Sequence, residues 1–222
     1  MALQSFFLDS PPLILEHQYF QQFLNALADQ GYLVIGPTAR DGAIVYDEIT
    51  STDDLPTGWT DTQAGGMYRL EPASSAAVFG YTTSPQSWKR YLHPPVLELW
   101  RAQRTNGTFQ VIPEDVPPRL AFLGVRACEL QAIAIQDKVF LHSEFVDPHY
   151  KARRDNIFIV AVNCSHAGET CFCASLNAGP KAAAGYDLAL TEVVDKELHY
   201  YLVEIGTERG ADVMSALPHH AA

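Results

Sequence analysis

The sequence predicts an α/β fold: a mixed sheet with a parallel strand-helix-strand crossover, flanking helices and additional antiparallel strands. Two runs, RLAFLGV at 119–125 and NIFIVAVN at 156–163, are apolar without alternation, as strands covered on both faces are. Between them, CELQAIAIQDKVFL at 128–141 repeats Leu130, Ile133, Ala134 and Phe140 at roughly helical spacing. Strand, helix and strand in that order imply a right-handed parallel crossover.

The other elements follow along the chain. HQYFQQFLNALADQG, 17–31, sets Tyr19, Phe20, Phe23, Leu24 and Leu27 on one helical face and stops at Gly31. YLVIG, 32–36, and AIVYDEI, 43–49, form a hairpin around ARDG. Residues 50–90 are rich in Gly, Thr, Ser and Pro, with MYRLEP and FGYTT as short strands, and so much irregular chain is often functional surface. WKRYLHPP, 88–95, predicts one helical turn, VLELWRAQR, 96–104, a short helix, and TNGTFQVIP, 105–113, a turn leading into a strand. VPP, 116–118, is a stiff entry to the first buried strand. DPHYKARRDN, 147–156, is a polar, partly helical connection whose Tyr150, Arg153 and Arg154 are expected on a solvated face. DLALTEV, 187–193, and LHYYLVEI, 198–205, predict two more strands, and GTERGADVMSAL, 206–217, a closing helix. Residues 1–222 are expected to form one α/β domain with a less regular subregion at 1–115.

Composition narrows the function. A net charge of -11 with no basic stripe, ARR at 152–154 being the densest basic spot, speaks against nucleic acid as a partner. No run of about 18 apolar residues is present, so no membrane insertion is expected. The start, MALQSFFLDSPPLILEH, lacks a basic region and is interrupted by Asp9, Pro11 and Pro12, unlike a secretory signal, which places the protein in the cytoplasm. There, cysteines serve metals or catalysis rather than structural disulfides.

The four cysteines carry the chemistry. Cys128 follows the first buried strand and Cys164 the second, so both lie at the carboxyl edge of the parallel strands, where α/β sheets bind ligands. Cys171 and Cys173 lie in the loop leaving Cys164, which can turn at Gly168, so all four can reach one point. Four thiolates suit a tetrahedral zinc or an iron-sulfur cluster, and the spacing matches neither a zinc ribbon nor a ferredoxin run. The first turn of the crossover helix should favour thiolate over thiol at Cys128, and Arg126 could add a charge or a hydrogen bond. A single cysteine is more often a small core hydrophobe, but four of four at one sheet edge outweigh that reading. A redox pair at Cys171 and Cys173 would strain disulfide geometry and leave Cys128 and Cys164 unexplained. His166 is expected to face solvent. No Gly-x-Ser-x-Gly elbow or His-Glu-x-x-His pair supports a hydrolase.

GVRACELQAIAIQDKVF, DPHYKARRDNIFIVAVNC, TCFCASLNAGP and GYDLALTEV, in this order, resemble the N-terminal part of the beta subunits of cytoplasmic NiFe hydrogenase/sulfur reductases, the sulfhydrogenases. They are also similar to the corresponding component of the anaerobic sulfite reductases. The resemblance is dense over 119–205 and sparse before it. It implies an electron-transfer component, with other redox subunits as partners and Cys128, Cys164, Cys171 and Cys173 as the family's cysteine positions. The expected cofactor is an iron-sulfur cluster, 4Fe-4S rather than 2Fe-2S, with zinc as the alternative. Family members often have Pro-Cys-Asp where this sequence has Ala127, Cys128 and Glu129. They also carry a ferredoxin-type region with two four-iron clusters, which four cysteines in total cannot supply, so a fragment or a shortened relative is expected.

Overall fold

A computed structural model describes residues 11–105, 107–112, 116–196 and 198–222. Strand β1 (Leu13–Glu16) passes through a 3₁₀ turn, His17–Tyr19, into helix α1 (Phe20–Asp29). Two hairpins follow, β2 (Leu33–Arg40) with β3 (Ala43–Glu48), and β4 (Trp59–Ala64) with β5 (Met67–Pro72). The single turn α2 (Lys89–Leu92) precedes a third hairpin, β6 (Arg101–Thr105) with β7 (Thr108–Ile112). Next come β8 (Leu120–Val125), α3 (Ala127–Phe140), α4 (Pro148–Asp155) and β9 (Ile157–Val162). A 3₁₀ turn, Cys173–Leu176, leads to β10 (Leu188–Asp195), β11 (Leu198–Ile205), α5 (Glu208–Ser215) and β12 (His220–Ala221).

Eight strands form one sheet in the order β12-β1-β11-β10-β9-β8-β2-β3. Its centre, β2, β8, β9 and β10, is parallel, and the outer strands are antiparallel. Every residue of β8 and β9 is buried, and alternation sorts them onto two faces. On one face Phe158, Val160 and Val162 meet Phe20, Phe23 and Leu27 of α1 and Val213 and Met214 of α5. On the other, Ile157, Ile159 and Ala161 meet Leu130 and Ile133 of α3, Tyr150 of α4 and Trp88. A strand with a core on each side has no polar face to show, which explains the unbroken apolar runs.

Three expectations need correction. FGYTT, 79–83, is an irregular buried segment rather than a strand. VLELWRAQR, 96–104, is not a helix: 96–100 has no regular structure and the remainder enters β6. Val96, Leu99 and Trp100 are exposed, so a helix there would have had no surface against which to bury its apolar stripe; pairing with β7 satisfies the backbone instead. The polar connection before β9 has Tyr150 in the core, its hydroxyl donating to Asp137, which also pairs with Arg154. Strands β1, β4 and β12 were not expected from the sequence. Residues 1–10, most of the stretch weighed as a leader, lie outside the described residues.

Candidate cofactor-binding site

The crossover positions two of the cysteines. β8 ends at Val125, Arg126 caps α3 in extended conformation, and Cys128 sits in the first helical turn. The Glu129 carboxylate reaches back to accept the Arg126 N–H at 2.8 Å, fixing the start of the helix. One strand over, Asn163 follows β9, its amide donating to the Thr191 hydroxyl and its side-chain oxygen accepting the Ala182 N–H. Cys164 comes next and donates its N–H to the Pro180 carbonyl at 3.3 Å.

The loop supplies the other two. Cys171 N–H closes a turn onto the Gly168 carbonyl at 3.0 Å, and Cys173 opens the 3₁₀ turn, its carbonyl accepting Ala178 N–H at 2.9 Å. Gly179 lies against Cys173, where an added Cβ would stand 3.4 Å from the sulfur. All four cysteines carry free thiols and line one cavity of about 280 Å³. Thr82, Thr83, Thr170 and Gln131 also line it, and Ile135, Phe172 and Leu176 form an exposed apolar rim, Phe172 being 68% exposed.

The wall formed by Thr82 and Thr83 comes from the irregular N-terminal half. The main chain of residues 78–83 is clamped by three charged side chains. Glu192 accepts the N–H groups of Val78 and Phe79, and Asp61 accepts both the N–H and the hydroxyl of Thr82. Arg126, 0% exposed, donates to the carbonyls of Phe79 at 2.9 Å, Tyr81 at 2.6 Å, Thr82 at 3.0 Å and Asn163 at 3.3 Å, with Val162 at the limit of 3.5 Å. Its guanidinium also stacks on the Tyr81 ring, 4.8 Å from the centroid. Gln63 links the wall to the cysteine loop, donating to Thr82 Oγ1 and accepting from Thr170 Oγ1.

Electrostatics in the ligand-free chain oppose thiolates at the two sheet-edge positions. Burial, then the charges of Glu129, Cys164 and Cys173, push the Cys128 thiol up to about 11. Burial also raises Cys164; Arg126 works against this, and Cys173 and Cys171 add to it. In the ligand-free chain the thiol, not the thiolate expected at the helix start, is favoured at Cys128: desolvation by burial, aided by the neighbouring acidic groups, outweighs the half-charge of one helix terminus. Burial disfavours the Arg126 charge, yet Tyr81, Cys164, Tyr46 and Glu129 leave its pKa raised.

The donor set defines what would fit. Among the described residues no three His, Cys, Asp or Glu side chains close tightly enough to hold a single metal ion. The four cysteines share the walls of one cavity. His166 is exposed and lines a different cavity with Trp59, Ser165 and Glu192. Sequence reasoning missed Asp61, Gln63, Thr82 and Glu192, because their roles arise from contacts across most of the chain.

The beta subunit of sulfhydrogenase 2 from Pyrococcus furiosus is 30% identical over 196 residues, which is 88% of this chain and 48% of that protein. The chain belongs to the sulfhydrogenase beta-subunit family. It spans about half the length of the curated relative it matches. The match extends well beyond 119–205, so the similarity takes in the N-terminal half that walls the cavity. No family model matches the sequence, and no solved structure matches it.

Proposed function

We propose that this sulfhydrogenase-like chain is an electron-transfer subunit or domain of a cytoplasmic oxidoreductase complex of the hydrogenase, sulfur reductase or sulfite reductase type. Cys128, Cys164, Cys171 and Cys173 would hold one iron-sulfur cluster, which when bound supplies a one-electron couple. The observation that carries the reading is the gathering of every cysteine of the chain around one largely apolar cavity at the carboxyl edge of β8 and β9. Four cysteines around one cavity match the four thiolates that a four-iron cluster takes, with a single zinc ion as the alternative.

The chain's own residues have definite parts. The α3 terminus and the Asn163 bonds orient the two sheet-edge cysteines, and the 3₁₀ turn orients Cys173. Ile135, Phe172 and Leu176 place apolar surface around the mouth of the cavity, which bears on potential. With four cysteine ligands no position is left open for a substrate, so conduction rather than catalysis is the role. The relative is by name one subunit of a larger enzyme, which supports redox subunits as partners. Among the described residues no helix is long and apolar enough to cross a membrane.

Anaerobic reconstitution with iron and sulfide, followed by iron, sulfide and zinc analysis and EPR, tests the reading. About four irons and four sulfides per chain and a reducible EPR signal are expected, with Cys171→Ser losing the cluster while circular dichroism is unchanged. Stoichiometric zinc without sulfide would make the chain a zinc-stapled docking scaffold, and a folded, metal-free, EPR-silent chain would sink the proposal.

A further inference from the structure

We propose that Arg126 is the fixed buried countercharge of the cysteine site, a positioning residue that raises the reduction potential of the bound cluster. The inference rests on the reading above. Arg126 is fully buried between the ends of β8 and β9 and the 78–83 segment, and five main-chain carbonyls, not a carboxylate, receive its guanidinium. Glu129 is a charged neighbour, but its carboxylate bonds the Arg126 main-chain N–H rather than the guanidinium. Carbonyl dipoles solvate the cation without neutralising it, so the positive charge persists and its field extends to what lies beside it. One of those carbonyls belongs to Asn163, the residue before Cys164, and another to Thr82, which lines the cysteine cavity. A purely structural clamp could be built from neutral donors at a far smaller desolvation cost. The charge is explained by what it faces.

A cluster with four thiolates is anionic and becomes more so on gaining an electron. A cation fixed nearby in a region of low dielectric stabilises the more negative, reduced state, because no solvent reorientation is needed when the charge changes. Arginine suits this place better than lysine, since its planar fork meets several carbonyls at once and it stays protonated when buried. The same side chain thus closes the N-terminal wall and sets the field inside it.

The test compares Arg126→Gln, which removes the charge, with Arg126→Lys, which keeps it while losing most of the carbonyl bonds. Reconstituted proteins are titrated at pH 6.5, where the substituted lysine beside an anionic group remains charged, and the EPR-monitored midpoint is read with the melting temperature of the metal-free chains. Arg126→Gln is expected to shift the ratio of oxidised to reduced protein at fixed potential about tenfold toward oxidised, or about 59 mV for a one-electron couple. Arg126→Lys should stay within about twofold of wild type in this ratio, although both variants melt earlier. If Arg126→Gln does not fold, the lysine variant still decides: a midpoint displaced in it about tenfold means that geometry rather than charge governs, which overturns the proposal. An unmoved midpoint in Arg126→Gln overturns it equally. A wild-type chain that takes up no iron overturns the cluster reading first, whereas a loaded wild type with unmoved variants overturns only the role of Arg126.

Discussion

His17 and His199 stack face to face, with ring centroids 3.7 Å apart and planes 8° from parallel. His199 bonds Glu192 at 2.8 Å, and His17 Nδ1 lies 3.0 Å from the Tyr201 hydroxyl. Burial, then the neighbouring charge of His199, hold His17 below its ordinary value, with Glu192 opposing. In the unfolded chain the same imidazole protonates near its ordinary value of about 6.5, so as pH falls the unfolded state takes the proton first. The stabilisation is therefore fully present above about pH 6.5 and is lost as pH falls toward the folded-state value. His17→Gln should show a smaller fall in the urea midpoint between pH 7.5 and pH 5.5 than wild type; equal falls would show that His17 does not titrate differently on folding. Gly210 presents a steric case on the same scale, because a Cβ there would run into the Asp187 carbonyl. Gly210→Ala is expected to cost about 1–3 kcal/mol in urea unfolding, since backbone must move to admit it.

Among the elements, the segment 78–83 decides the most. It has no regular hydrogen-bonding pattern, and charged side chains from β4, the start of α3 and β10 stand in for one. Asp61→Ala leaves the Thr82 N–H and hydroxyl without their acceptor and is expected to cost about 1–3 kcal/mol. Because Thr82 is cavity wall, the variant should also let iodoacetamide reach Cys128 and Cys164 faster in the metal-free chain; unchanged alkylation would mean that the wall does not depend on this clamp. β9 was legible from its sequence because a strand with two covered faces must be apolar throughout. FGYTT was not, because aromatic and threonine residues suit a strand whether or not a partner strand is present, and here the partners are side chains. VLELWRAQR failed for a related reason: its helical spacing had no face to cover, and β7 was available beside it.

At the scale of the molecule, the sheet and the two cores on its faces form the framework, and the β6–β7 hairpin stands apart as its own two-stranded sheet with nearly every described residue exposed. Replacing 101–112 with a short Gly-Ser link is expected to change unfolding free energy by less than about 1 kcal/mol and to leave iron uptake unaltered. A large loss in either would show that the hairpin supports the framework. If the proposed cluster forms, iron and sulfide loading should itself raise the melting temperature, since a group held by cysteines from separate elements would bind the folded chain alone.

The sequence by itself determined the parallel crossover and, through it, the shared sheet edge of Cys128 and Cys164, because continuous apolar runs have one stable placement and parallel strands end on the same side. It also carried the family, now borne out by the match to a sulfhydrogenase beta subunit. Only the tertiary structure decided that the four thiols line one cavity, that an irregular N-terminal segment walls it, and that Arg126 gives its donors to main-chain carbonyls. The physical reason is that every residue has a carbonyl, so a sequence holds no mark of which ones a buried cation will find.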